Sequence, residues 1–291
     1  MSLLDAYRYP GPMMSDVAPS ALIINTMHRI DDYTSIQGVI GAGKSTFISR
    51  LRHNIVSTGQ CAMTCTCLTH SDYYLLIDEP VDEWGTINCS INSKSGKDQD
   101  LVSILDIFYM DMKRWAFTFQ VNAFTTRLRR IITSLNNINP GIPANAKIHI
   151  ISERSLRADY LFFRNLYDNE LVSHVDWQVY EAFFHTICDE TINKEDRMIY
   201  IDTVPRKCHE RIKKRDRREE TSRVKTVDEE AKFEAYLFSL ASAHDQMIED
   251  FRRERGHDRV YVIDANEDID SMVDYDEMVA QFRHALYAVS V

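Results

Sequence analysis

Long hydrophobic runs are missing from this 291-residue chain: no window approaches eighteen apolar residues in a row, although 44% of the residues are hydrophobic. That argues against a membrane-spanning helix and fits an ordinary globular domain. Basic charge is also short, with 34 Lys and Arg against 44 Asp and Glu, a net charge of −10. Broad nucleic-acid binding needs a basic surface that displaces counterions, so nucleic acid is not expected as a partner and any phosphate binding must be local. Cysteine is limited to six residues, and no apolar signal core precedes them. Reduced thiols in a cytoplasmic setting are expected, not a disulfide framework. Cys61, Cys65, Cys67 and His70 lack both the C-x-x-C spacing and the second ligand pair of a zinc site.

Residues 1–32 carry Pro10, Pro12 and Pro19, with Asp5 and Asp16 beside a lone early Arg8. They read as a flexible extension and are too acidic for an arginine-rich presequence. From residue 33 to 291 a single α/β domain is expected. Five short β-branched and aromatic runs alternate with longer helical patterns: 33–37, 73–78, 148–152, 198–201 and 260–263. Runs such as Tyr74-Leu75-Leu76-Ile77 suit strands covered on both faces, so the expected architecture is a five-stranded parallel sheet flanked by helices.

What the chain does contain is Gly38-Val39-Ile40-Gly41-Ala42-Gly43-Lys44-Ser45, a complete G-x-x-x-x-G-K-[ST] phosphate loop after the first strand, continued by Thr46. The glycines let backbone N–H groups turn inward around phosphate oxygens, Lys44 adds a point charge, and Ser45 offers a hydroxyl to magnesium. A glycine turn that merely opened a helix would leave Lys44-Ser45 unexplained. Charged groups also follow the second and third strands, Asp78-Glu79 and Glu153-Arg154. Ligands of parallel sheets sit at those strand ends.

A helix from Leu101 onward would return Tyr109, Gln120 and Arg127 to nearly one face, among Leu105, Phe108, Met112, Ala116 and Phe119. A half-apolar pocket with a few polar anchors is the shape of a nucleoside site. Residues 206–218 are dense in positive charge, either a solvated surface helix or part of a lid.

The order of these pieces, namely Gly38–Ser45, Glu79-Pro80-Val81 with Trp84, Tyr109, Phe119-Gln120, Glu153-Arg154-Ser155 and the R-x-x-x-R-x-R-x-E-E of Arg211–Glu220, resembles the deoxynucleoside kinases. The likeness is to the deoxycytidine/deoxyguanosine kinase type, whose family includes viral thymidine kinase-like members, and it runs from about Ile36 to Phe282. It implies a P-loop kinase fold with an arginine-rich lid, ATP or another nucleoside triphosphate as donor, Mg2+, and a homodimer. It also implies Glu79 as the base at the 5′-hydroxyl; a helix-capping acid is the plainer alternative. Glu153 would share the magnesium with Ser45, and Arg154 would sit beside the reacting oxygens. Gln120 would meet the base, Tyr109 the sugar 3′-hydroxyl, and Trp84, Leu105, Phe119 and Phe163 would shape the pocket, with Phe162 as the substitute for Phe163. Arg127 and Asp159 match a charged pair that favours deoxycytidine and purine deoxynucleosides over thymidine. Arg211, Arg215 and Arg217 would neutralise the triphosphate, Glu220 would contact the sugar end, and Asp268 the donor adenine.

Gln37 and Val39 depart from the Glu and Asn usual in such relatives, which implies tuning and not loss of activity. Two rivals remain open: a thymidylate-type nucleoside monophosphate kinase, and a nucleotide-binding protein without turnover. The first must grip a substrate phosphate, whereas Glu79 suits an alcohol.

Overall fold

Parallel pairing around β1 (Asp32–Gln37) organises the sheet, because this strand lies between β4 (Lys147–Glu153) and β5 (Arg197–Asp202). The computed structural model describes residues 30–57, 61–62, 72–85, 103–138, 141–143, 145–191, 195–215 and 227–267. β3 (Asp72–Ile77) pairs with the outer side of β4, and β6 (Val260–Asp264) with the outer side of β5. The five expected strands therefore form, each within one residue of its expected bounds. A sixth joins them: the two-residue β2 (Cys61–Ala62) pairs with β3, giving the order β2-β3-β4-β1-β5-β6.

Adjacent residues of one strand enter different cores. Ile150 packs with Tyr33, Phe124 and Ile131, whereas Ile151 joins Ile36, Phe47 and Leu237. That is the period of two of a sheet covered on both faces. The helices are α1 (Lys44–Ser57), α2 (Val81–Trp84), α3 (Ile104–Met110), α4 (Met112–Asn136), α5 (Leu156–Asp168), α6 (His174–Thr191), α7 (Pro205–Arg215) and α8 (Val227–Arg255). None in the described residues is long and apolar enough to cross a membrane.

The single helix expected from Leu101 onward is in fact two. α3 starts at Ser103, whose hydroxyl accepts from the Asp106 N–H while the Asp106 carboxylate accepts from the Ser103 N–H, a capping box. It ends at Asp111, which is non-helical at φ −149° and ψ 82°. The Asp111 carboxylate accepts from the Arg114 N–H at 3.1 Å, so the residue that ends α3 also caps α4. Tyr109 thus lies on a different helix from Gln120 and Arg127, and tertiary packing brings them together, not helical phase.

Candidate active site

Three neighbouring strands, in the order β3-β4-β1, deliver the chemistry to one edge of the sheet. β3 ends before Asp78-Glu79, β4 at Glu153-Arg154, and β1 in the phosphate loop. A cavity of about 500 Å3 opens there. Its phosphate end is walled by Gly41, Gly43, Lys44, Ser45, Thr46, Glu153, Arg211 and Arg215. Its far end is walled by Trp84, Leu105, Tyr109, Phe119 and Gln120, with Glu79, Arg127, Arg154 and Asp159 between the two.

The phosphate loop is shaped by contact with α7. Gly41 has φ +83°, and a Cβ there would stand 2.6 Å from the Cys208 carbonyl oxygen, so only glycine fits. Gly38 and Ala42 do not wall the cavity. Gly38 backs onto Ile201, and the Ala42 carbonyl accepts from Thr203 Oγ1 at 3.1 Å and Arg211 Nη1 at 3.3 Å. Arg211 Nη2 also donates to the Glu267 carbonyl at 2.8 Å, tying α7 to the loop after β6. Lys44 Nζ curls back to donate to the Gly38 and Val39 carbonyls at 3.2 and 2.9 Å. Burial, with the Arg154 charge nearby, pulls its ammonium down to about 7. Ser45 Oγ donates to Glu153 Oε1 at 2.8 Å. Two oxygen donors at the phosphate end fit magnesium, which takes few protein ligands and completes its shell with phosphate and water.

Glu79 is held by two arginines that address the same oxygen. Arg127 Nη2 and Arg154 Nε lie 2.9 and 3.2 Å from Oε1, and no partner for Oε2 occurs among the described residues. Burial pushes the carboxyl up, but Arg154, Arg127 and Lys44 outweigh it and hold the group below the usual carboxylate range. Arg127 also donates through Nε to Asp159 at 2.8 Å and through Nη1 to the Glu153 carbonyl at 3.1 Å. It is 3% exposed, so this guanidinium is wholly spent on the site's own framework.

Arg154 adopts φ +62°, a left-handed backbone that a side chain disfavours. Its N–H donates to the Ile36 carbonyl at 2.9 Å, and its carbonyl accepts from Ser152 Oγ at 2.6 Å. Its guanidinium lies 4.6 Å over the Phe162 ring, a cation–π contact. Behind it stands His244, fully buried on α8. His244 Nδ1 donates to the Leu240 carbonyl at 2.7 Å, which leaves Nε2 as an acceptor facing Arg154 Nη1 at 3.5 Å. Burial and the Arg154 charge push the His244 imidazole down to about 3, so it stays neutral.

The far end is aromatic. Phe119 stacks on Phe108 at 4.6 Å and meets the edge of Trp84 at 5.4 Å. Trp84 Nε1 donates to Thr126 Oγ1 at 3.0 Å, and Arg130 pairs with Asp82 and Glu83, which clamps the short α2 onto α4.

Residues 34–286 match the family described as deoxynucleoside kinase. The chain belongs to the deoxynucleoside kinase family. It is 29% identical over 202 residues to deoxycytidine kinase 2 of Gallus gallus, covering 64% of this chain and 65% of that one. It is 32% identical over 189 residues to a probable deoxycytidine kinase of fowlpox virus, covering 65% and 63%. Each alignment thus spans a little under two thirds of the relative's length. In overall shape the chain is similar to a deoxyadenosine kinase from M. mycoides with bound dCTP, at a TM-score of 0.59 and 20% identity, covering 87% of this chain and 99% of that one.

Within this family member most of the expected site residues come together. Phe163 does not: it is fully buried against Trp177 and Tyr180, and its neighbour Phe162 walls the cavity instead. One step along a helix turns the side chain by 100°, so only one of two adjacent phenylalanines can face the site. Arg217, Glu220 and Asp268 lie outside the described residues, as do Cys65, Cys67, His70 and residues 1–29. Phe108 walls the cavity as expected of its helix face, whereas Ala123, Lys214 and Tyr236 wall it without having been expected there. Lys214 belongs to the basic run; Tyr236 comes from α8, more than 80 positions past Arg154, and carries no local signal.

Proposed function

We propose that this protein transfers the γ-phosphoryl group of ATP, or another nucleoside triphosphate, to the 5′-hydroxyl of a deoxynucleoside. The observation that carries the reading is Glu79, in the wall of one cavity shared by the phosphate loop and the aromatic residues, with Oε1 occupied by two arginines and Oε2 left to accept the hydroxyl proton. A carboxylate with a lowered pKa is a weak base, yet it suffices. Phosphoryl transfer is mostly positioning and charge stabilisation, and the alcohol sheds its proton late, as the new O–P bond forms. Lys44 binds the phosphates, and Ser45 and Glu153 hold the magnesium, which neutralises charge on the triphosphate. Arg154, Arg211, Arg215 and Arg217 stabilise the transferring group.

The base lies among Trp84, Phe119 and Phe162, with Gln120 supplying paired amide contacts and Tyr109 the sugar contact. The Arg127–Asp159 pair supports deoxycytidine and purine deoxynucleosides over thymidine. The same reading includes a homodimer in the cytoplasm, with Glu220 and Asp268 at the sugar and adenine ends.

Product formation with ATP and magnesium tests this against thymidine, deoxycytidine, deoxyadenosine, deoxyguanosine and thymidine monophosphate. Monophosphate product from a nucleoside is expected, with deoxycytidine or a purine preferred. Activity on the monophosphate alone would move the assignment to a nucleoside monophosphate kinase, and triphosphate binding without turnover to a silent nucleotide-binding protein.

A further inference from the structure

Beneath the site lies a closed ring of hydrogen bonds that none of the roles above uses. Gln37 Nε2 donates to Ser35 Oγ and to Ser155 Oγ, both at 3.0 Å. Each hydroxyl passes its own proton on to Glu195: Ser155 Oγ donates to Oε2 at 2.9 Å, and Ser35 Oγ donates to Oε1. Two amide hydrogens, two hydroxyl hydrogens and two carboxylate oxygens are thereby matched without remainder. All four residues are at least nine-tenths buried. Gln37 Oε1 has no partner among the described residues, so its Nε2 is what the ring holds.

The ring joins two places that matter. Gln37 is the residue immediately before Gly38, and Ser155 the residue immediately after Arg154 with its positive φ. Glu195, just ahead of β5, is the one member that can only accept, so it fixes the direction of every bond. Its outer side is met by Arg157, whose Nε stands 3.5 Å from Oε2 and whose Nη2 donates to Glu254 of α8 at 2.9 Å.

We propose that Glu195 is a positioning residue: through Ser35, Ser155 and Gln37, its carboxylate sets the spacing between the phosphate loop and the Glu153-Arg154 turn. This rests on the kinase reading for its effect on turnover, and on the loop alone for its effect on triphosphate binding.

Reversing the polarity of the ring tests it. Gln37→Glu faces two acceptors with too few protons, and Glu195→Gln faces two amides with too few acceptors. The double variant restores one of each, with every bond running the other way. For the four proteins, the Kd for magnesium-ATP is measured by calorimetry, kcat with the preferred nucleoside, and Tm by thermal unfolding. Each single variant is expected to lose about tenfold or more in kcat or triphosphate affinity, and the double to return to within about threefold of the wild type. A double variant whose losses equal the product of the single ones overturns the proposal. So do single variants that lower Tm and leave Kd and kcat unchanged. Should a single variant fail to fold, Ser155→Ala removes one arm and leaves Glu195 its Ser35 and Arg157 partners: loss of kcat or affinity supports the role, and loss of Tm alone overturns it. If the wild type binds triphosphate yet phosphorylates no nucleoside, the kinase reading fails while the Kd series still decides the ring.

Discussion

Arg127 holds Glu79 with one nitrogen of its guanidinium and Asp159 with another, at 2.9 and 2.8 Å. The acid proposed to meet the hydroxyl and the acid proposed to choose the base therefore share one cation. Each can be perturbed through the other.

Glu79→Gln keeps the shape of the side chain and removes its charge. We expect kcat to fall by about 10²–10⁴-fold, because the acceptor for the hydroxyl proton is gone. Triphosphate binding should persist, since the phosphate loop is untouched. Steady-state kinetics beside calorimetry check both, and near-normal turnover would remove Glu79 from its role.

Replacing the shared cation and its deeper partner together, Arg127→Met with Asp159→Ala, is expected to raise the thymidine to deoxycytidine ratio of kcat/KM by about tenfold. Arg127→Met alone leaves Asp159 buried without its arginine and should cost about 3–5 kcal/mol in urea unfolding, more than the double variant loses. A ratio that does not rise would show that the pair does not set base choice.

Lys44 near 7 makes triphosphate binding a proton-coupled event. In the free protein near pH 8 most Lys44 is neutral, and bound phosphates favour its charged form, so binding should take up a proton. Calorimetry in buffers of different ionisation enthalpy reads the uptake directly. It should fade near pH 6, where Lys44 is already charged, and be absent in Lys44→Met. Equal uptake at both pH values would contradict the lowered pKa.

At the opposite edge of the sheet, His149 Nδ1 lies 2.6 Å from Asp32 and Nε2 3.1 Å from Asp72. Burial works against the imidazolium, but the two carboxylates outweigh it and raise the group above its ordinary 6.5. The resulting stabilisation is complete below 6.5 and disappears as pH rises through the raised value. His149→Gln should therefore be more destabilising near pH 6 than near pH 9, as urea melts at the two pH values would show. A pH-independent deficit would mean packing, not charge, is what His149 contributes.

The strands were legible because each is a short apolar run between turn signals, such as Ile148–Ser152, and a covered sheet demands just that pattern. β2 was not, since two residues have no period. The break at Asp111 was hidden because Met110-Asp111-Met112 contains neither glycine nor proline and the apolar period runs straight through it. Among the residues that wall the cavity, the phosphate loop was legible from its motif and Glu79 from its place just after a strand. Phe162 and Phe163 could not be separated, because both read as apolar on one helix and only packing decides which faces inward. The Gln37 ring was invisible for a different reason: its closure depends on which atom donates across about 160 positions of chain, and sequence carries no record of that.

The break at Asp111 has an evolutionary corollary. On an unbroken helix, inserting one residue ahead of Gln120 would rotate everything beyond it, so a change near Tyr109 would scramble which residues of the helix wall the cavity. With the chain re-capped at Asp111, an insertion within α3 would turn Tyr109 about its own short axis and leave Gln120 and Arg127 in register. The register of each helical wall can thus change without shifting the other's, with the Phe108–Phe119 stack as the contact that must be rebuilt; on the proposed roles, sugar tolerance and base choice would then respond to different insertions.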